Sequence, residues 1–140
     1  MIALPKQNEM KQMAALHIWD TLGQEKFHSI AKLFFKGSVG AFLVFDLSSR
    51  ESFEAIKKTW YNLLKESCET RLVITLLGNK SDLQSREVFY NEAMDFAREK
   101  GMNYLEVSAK SGRNVRSAFS LMVNQIFIHH REALMQVNMQ

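Results

Sequence analysis

Residues 39–47, Val-Gly-Ala-Phe-Leu-Val-Phe-Asp-Leu, are apolar at almost every step until a single acid, Asp46, near the end. A strand with one wet face alternates apolar and polar residues, so an unbroken apolar run demands cover on both faces. Leu72 to Leu77 and Asn103 to Val107 repeat the type. Helical periods fill the intervals. Phe53, Ile56, Trp60, Leu63 and Leu64 share one helical face, and Ala93, Phe96 and Ala97 mark a shorter helix over Tyr90 to Lys100. Val115, Ala118, Phe119, Met122, Val123, Ile126 and Phe127 follow i, i+3, i+4, i+7, i+8 spacing. Strand and helix in strict alternation with short links predict an α/β fold, a parallel sheet flanked by helices. Sheets of that kind place ligands at the carboxyl ends of their strands.

The ends of these elements carry signals of their own. Ser48 with Glu51 offers a capping box, Gly101 suits the left-handed position that stops a helix, and Asn114 is placed to cap the last helix. From Met13 to Trp19 the period is two: Ala14, Leu16 and Ile18 point one way, and Met13, Ala15, His17 and Trp19 the other. Apolar on both faces except at His17, this segment reads as a buried strand. Residues 1–12, with the only proline, read as a loosely ordered lead-in. Residues 13–128 form the domain, and 129–140, where the periodicity weakens, a tail or helix extension. With 140 residues, 46% of them hydrophobic, the chain can build one core and not two.

Several classes are excluded. The net charge of +3 comes from Lys and Arg spread along the chain, with no run of like charges to follow a nucleic acid. The lone cysteine, Cys68, has no partner for an internal disulfide, which fits a reducing compartment. No stretch approaches the ~20 apolar residues of a membrane span, and the first residues hold no secretory apolar core. Met135 to Gln140 contain no cysteine, so no prenylation box stands there and a soluble product is expected.

Three polar segments follow predicted strands directly. In Asp20-Thr21-Leu22-Gly23-Gln24-Glu25, the carboxylate is placed to hold Mg²⁺ through a water, Gly23 to let backbone N–H approach a terminal phosphate, and Gln24 to orient an attacking water. Asn79-Lys80-Ser81-Asp82 suits a guanine. That base shows two adjacent donors, the N1 and N2 hydrogens, which one Asp accepts in bidentate fashion and which adenine lacks. The Lys80 stem would cover a base face, and Asn79 would tie neighbouring loops or reach the base. Ser108-Ala109-Lys110 is unspecific by itself, and an isolated acid at a strand end is more often a turn cap. Order and spacing separate these readings: Asp20 to Asn79 is 59 residues (79 minus 20) and Asn79 to Ser108 is 29 (108 minus 79), both compatible with strand, helix and strand repeats.

Together these strings resemble the Rab group of Ras-superfamily small GTPases, from about Met13 to Phe127. Leu16 to Phe27 is similar almost residue for residue to the family's third motif and following switch, with Leu22 and Lys26 where the family usually has alanine and arginine. Phe34-Phe35-Lys36-Gly37, Gly40 and Phe45-Asp46-Leu47-Ser48 add to the likeness. The resemblance implies a P-loop NTPase-like sheet, GTP or GDP with Mg²⁺, and GTP-dependent regulation of vesicle-mediated transport. It assigns Gln24 to hydrolysis, Asp20 to the metal through water, and Asp20, Gly23, Asn79, Lys80, Asp82, Ser108, Ala109 and Lys110 to the nucleotide. The Ala109 N–H would donate to guanine O6. Trp19, Phe27, Ile30 and Phe34 fall on a surface read by effector and regulatory proteins, although core packing is an equal reading of Phe27 and Phe34. The implied location is cytoplasmic, or peripheral at endomembranes through a partner.

The family's phosphate cradle, G-x-x-x-x-G-K-[ST], has no counterpart in this sequence. Residues 1–22 contain no glycine, and 19 residues precede Asp20, whereas a strand, loop, helix and returning strand need more than ~30. The expected sheet therefore lacks the family's first strand, P-loop and first helix. Weak phosphate binding, no hydrolysis and self-association through unpaired strands are expected of this chain. Two further readings stand beside that of a GTPase: a nucleotide-independent interaction module, and a nonfunctional fragment.

Overall fold

The computed structural model describes residues 2–3, 13–21, 32–33, 35–68 and 71–137. Its elements are β1 (Ile2–Ala3), β2 (Met13–Ala14), β3 (Gly40–Asp46), α1 (Arg50–Ala55), a π-helical turn (Ile56–Trp60), α2 (Tyr61–Ser67), β4 (Val73–Asn79), α3 (Tyr90–Glu99), β5 (Asn103–Glu106) and α4 (Val115–Val137). The three apolar runs become one parallel sheet in the order β3-β4-β5, with β4 central. Its register pairs Gly40 with Val73 through to Asp46 with Asn79, and Thr75 with Asn103 through to Gly78 with Glu106.

Alternation along the strands sorts the core into two layers. On one side Leu43, Phe45, Ile74, Leu76 and Tyr104 meet Phe53, Ile56 and Leu64 from the first helical segment and Ala93, Phe96 and Ala97 from α3. Leu77, Val107 and Ala118 pack on the opposite side, where Phe42 meets Phe119 of α4 edge to face with ring centroids 5.2 Å apart. Burying each large side chain contributes on the order of 1.5–3 kcal/mol. The sheet is thus covered on both faces, which is why its strands are apolar throughout.

The helix ends follow local chemistry, with two shifts from expectation. The cap of α1 is Ser49 and not Ser48: its Oγ accepts from the Ser52 N–H at 3.3 Å. Ser48 turns back, its N–H and hydroxyl both donating to Asp46 Oδ1. At the start of α4, Asn114 takes φ 59°, which asparagine tolerates better than most residues, and its Nδ2 donates to the Glu106 carbonyl at 2.8 Å. Helix α3 ends as predicted. Gly101 has φ 68°, its N–H donates to the Arg98 carbonyl, and the Met102 N–H donates to the Ala97 carbonyl at 2.8 Å. That pair of bonds defines a Schellman stop, with Met102 buried behind it.

The segment Met13–Trp19 departs from the buried strand expected of it. Strand structure covers Met13–Ala14 alone, paired antiparallel with Ile2–Ala3. Met13 is 61% exposed, Ile18 66% and Trp19 70%. A two-sided apolar period states what a strand needs on its faces but supplies no neighbour. Among the described residues β3 is hydrogen-bonded along one edge only, to β4. Beside its other edge lies a groove of about 1130 Å³, lined by residues 15–21 on one flank and by side chains such as Ile56, Trp60, Phe119 and Met122 on the others.

Candidate functional site

The sheet brings two of the three polar segments together. Strand β4 runs out at Asn79 and β5 at Glu106, and the loops that follow are stitched by backbone bonds from Val107 N–H to the Gly78 carbonyl (2.8 Å) and Ser81 N–H to the Val107 carbonyl (3.1 Å). Side chains complete the stitching. Asn79 Oδ1 accepts from the Ala109 N–H at 3.0 Å, as expected of a residue tying neighbouring loops. Fully buried Ser108 donates its hydroxyl to Asp82 Oδ1 at 2.7 Å and accepts from the Ser111 N–H at 3.1 Å. The Ser108 bond, helped by Lys110 and Lys80 nearby, holds the Asp82 carboxyl below its ordinary range. Asp82 is therefore an ionised, exposed acceptor, with lone pairs left over after the serine bond.

Lys80 adopts φ 65°, a left-handed conformation unusual for a residue with a Cβ. Its carbonyl accepts from the Leu83 N–H at 3.0 Å, closing the turn that presents Asp82. Its Nζ reaches across the strand end to Asp46 Oδ2 at 2.6 Å. Partial burial would raise the Asp46 pKa, but the Lys80 ammonium and the two Ser48 donors outweigh it and hold the carboxyl below its usual value. Asp46 is a residue that the reading of motifs passed over. The signal was present in the apolar run that ends in an acid at the carboxyl end of its strand.

The remaining sequence candidates fall elsewhere. Lys110 is exposed beside the third loop. Asp20 lies exposed in the irregular stretch 15–21 that lines the groove, next to Trp19. Gly23, Gln24, Phe27, Ile30 and Phe34 lie outside the described residues. Among the described residues no group of three or more His, Cys, Asp or Glu is arranged to hold a metal ion. No helix there is long and apolar enough to cross a membrane.

The donor set has the chemistry to suit a purine base better than a metal: a carboxylate with lone pairs to spare beyond its serine bond, an aliphatic stem and fixed backbone polar groups stand together, whereas Asp20 is a single carboxylate. A parallel α/β sheet with these loops on adjacent strand ends defines a P-loop NTPase-like small GTPase architecture. The Ras family model matches residues 4–128, and the chain belongs to that family. Within it the chain is Rab-like. It is 40% identical over 120 residues to the Ras-related protein RABA4b of Arabidopsis thaliana, an alignment covering 85% of this chain and 53% of the relative. To the Ras-related protein RABA4a of the same plant it is 40% identical over 111 residues, covering 79% of this chain and 49% of the relative. The chain thus spans about half the length of these curated relatives.

Proposed function

We propose that the loops after β4 and β5 are the guanine-reading site of a Rab-like small GTPase. Asp82 accepts the N1 and N2 hydrogens of the base, the Lys80 stem covers one face, and Asn79 holds the Ala109 loop against the Asp82 turn. The supporting observation is the pair of bonds between loops, Ser108 to Asp82 and Ala109 to Asn79, which set the acceptor in place before any base arrives. The Ala109 N–H is already engaged by Asn79, so donation to guanine O6 requires it to be shared or released. Asp20, Gly23, Gln24, Ser108 and Lys110 complete the set that the family assigns to nucleotide, Mg²⁺ and attacking water. The role follows the family's: GTP and GDP binding, and GTP-dependent control of vesicle-mediated transport through effectors that contact Trp19, Phe27, Ile30 and Phe34. That work is done in the cytoplasm, and at endomembranes through a partner.

In the 140-residue polypeptide the base contacts carry nearly all of the affinity, because its sequence offers phosphates no glycine-rich nest and no P-loop lysine. A titration of the full chain with fluorescent GDP tests this. Binding weaker than micromolar and insensitive to Mg²⁺ is expected; micromolar or tighter binding that needs Mg²⁺ overturns it. The edge of β3 that has no strand partner among the described residues favours a second reading, in which this chain acts by holding another polypeptide or its own copy along the groove of about 1130 Å³. Sedimentation at rising concentration then shows mass increasing above the monomer, whereas a monomer at every concentration opposes self-association.

A further inference from the structure

Lys80 is held from both ends. At its backbone it takes a left-handed conformation, the kind of local strain that persists only where surrounding contacts enforce it. At its tip the ammonium meets Asp46 Oδ2 at 2.6 Å. The side chain between is drawn out across the end of the sheet, from β4 to the neighbouring β3, beside the Asp82 turn. The pair is still partly exposed, 51% for the lysine side chain against 22% for the aspartate. An ion pair so placed adds little to stability. Its geometric effect is larger.

The aspartate is itself immobilised. Asp46 Oδ1 accepts from the Ser48 N–H at 2.8 Å and from the Ser48 hydroxyl at 2.6 Å, leaving Oδ2 for the lysine. Its backbone N–H donates to Ser52 Oγ at 2.9 Å, and the Ser52 hydroxyl donates to the Ser49 carbonyl at 2.7 Å. Register places Asp46 directly opposite Asn79, the residue before Lys80, and the Leu47 N–H donates to the Asn79 carbonyl at 3.0 Å. The anchor and the root of the lysine are thus fixed relative to one another by adjacent strands.

We infer that Asp46 is a positioning residue for base recognition: by pinning the Lys80 ammonium it keeps the aliphatic stem laid out as a flat shelf on which a purine ring rests. The inference builds on the guanine-reading site proposed above. A free lysine gives up rotamer entropy when it is ordered, and ordering it ahead of ligand removes part of the binding cost. Pairing with Asp46 also neutralises the ammonium. Lys80 thereby serves the base with its methylenes and offers the phosphates little charge.

The experiment is an NMR titration of the full chain with GDP and with ADP, a method that reads affinities into the millimolar range. Asp46→Asn keeps the shape and the Ser48 acceptor but turns an amide donor toward the ammonium. GDP binding is expected to weaken by about 3- to 10-fold, the effect of freeing one flexible side chain, while the Lys80 ammonium signal loses its ion-paired character. Lys80→Met keeps an apolar stem that cannot be pinned, and is expected to weaken GDP binding by the same factor. In a Lys80→Ala background, Asp46→Asn is expected to do nothing more. Unchanged GDP affinity in Asp46→Asn or Lys80→Met overturns the inference, as does an equal loss in the Lys80→Ala background, which shows that Asp46 acts without the lysine. If the Asp46 variant fails to fold, the Lys80→Met result decides. A parent chain that binds GDP no better than ADP overturns the guanine reading and this inference with it; a preference that depends on Asp82 but not on Asp46 overturns this inference alone.

Discussion

Thr75 sits in the middle of the central strand, is 0% exposed, and its Oγ1 makes no hydrogen bond in the structure. By alternation it shares the α4-facing side of β4 with Leu77. A buried hydroxyl without a partner costs about 1–3 kcal/mol on mutational scales. Thr75→Val replaces that hydroxyl by a methyl of nearly the same shape, so the backbone and the β-branched rotamer are kept while the desolvation penalty disappears. We expect stability to rise by about 1–2 kcal/mol, at the lower part of the range because breathing of the sheet lends the hydroxyl transient partners. For a chain of this size that corresponds to roughly 3–10 °C in Tm. Urea unfolding followed by far-UV circular dichroism measures it directly, with an unchanged slope showing that the unfolded state is not the cause. Thr75→Ser is the control. It keeps the hydroxyl, removes the methyl, and is expected to be less stable than the parent by about 1 kcal/mol. A Thr75→Val protein less stable than the parent refutes the reasoning, because it means the hydroxyl is satisfied, for example by a buried water that the valine expels.

At Gly78 an added Cβ would stand 2.8 Å from Leu47 Cδ2 and 2.9 Å from the Tyr104 hydroxyl, both on buried residues, so Gly78→Ala is expected to lower stability by about 1–3 kcal/mol in the same urea assay. The Arg86 guanidinium pairs with Glu106 through two bonds of 2.7 and 2.8 Å and holds that carboxyl below its ordinary 4.5. A depressed carboxylate stabilises the fold fully above the unfolded value and progressively less as pH falls through the folded one. Thermal melts from pH 7 to pH 3 should therefore lose Tm below about 4.5, and less steeply in Arg86→Met. Asp82→Asn replaces a two-acceptor group by one acceptor and one donor, which matches the N1–H and C2 carbonyl of xanthine. GDP binding should fall and XDP binding rise, read by NMR titration, and an unchanged preference for GDP removes Asp82 from base recognition.

What the sequence disclosed was whatever short-range pattern controls. The strands Val73–Asn79 and Asn103–Glu106 and the helix Tyr90–Glu99 lie within a residue or two of their expected bounds, because burial on both faces and a glycine stop are written in neighbouring residues. The π turn at Ile56–Trp60 was not legible. Its wider turn rotates the helical face just ahead of α2, where Leu63 and Leu64 are buried. The Asp46–Lys80 pair was not legible either: the two are 34 residues apart (80 minus 46), and only the parallel register sets them side by side. The exposed stretch after Met13 failed for the opposite reason, since its pattern is local but its cover is not.

The register also explains why the site is confined to a few residues of each loop. Asp46 lies opposite Asn79, and Gly78 opposite Glu106, so Asp46, Asn79 and Val107 fall on one level across three strands. The next residue of each chain, Leu47, Lys80 and Ser108, is where the strand geometry ends. Leu47 crosses back over β4, donating to the Asn79 carbonyl and packing on Gly78, a close approach that only a glycine admits. Lys80 turns left-handed, and Ser108 turns inward to Asp82. A slip of one residue in the β3–β4 pairing would turn every side chain of the slipped strand into packing shaped for its neighbour and separate Asp46 from Lys80 at the same stroke. The core that fixes the register is therefore the same structure that places Asp46, Lys80 and Asp82. Repacking that preserves the register leaves the site intact, and a change at Gly78 disturbs the two together.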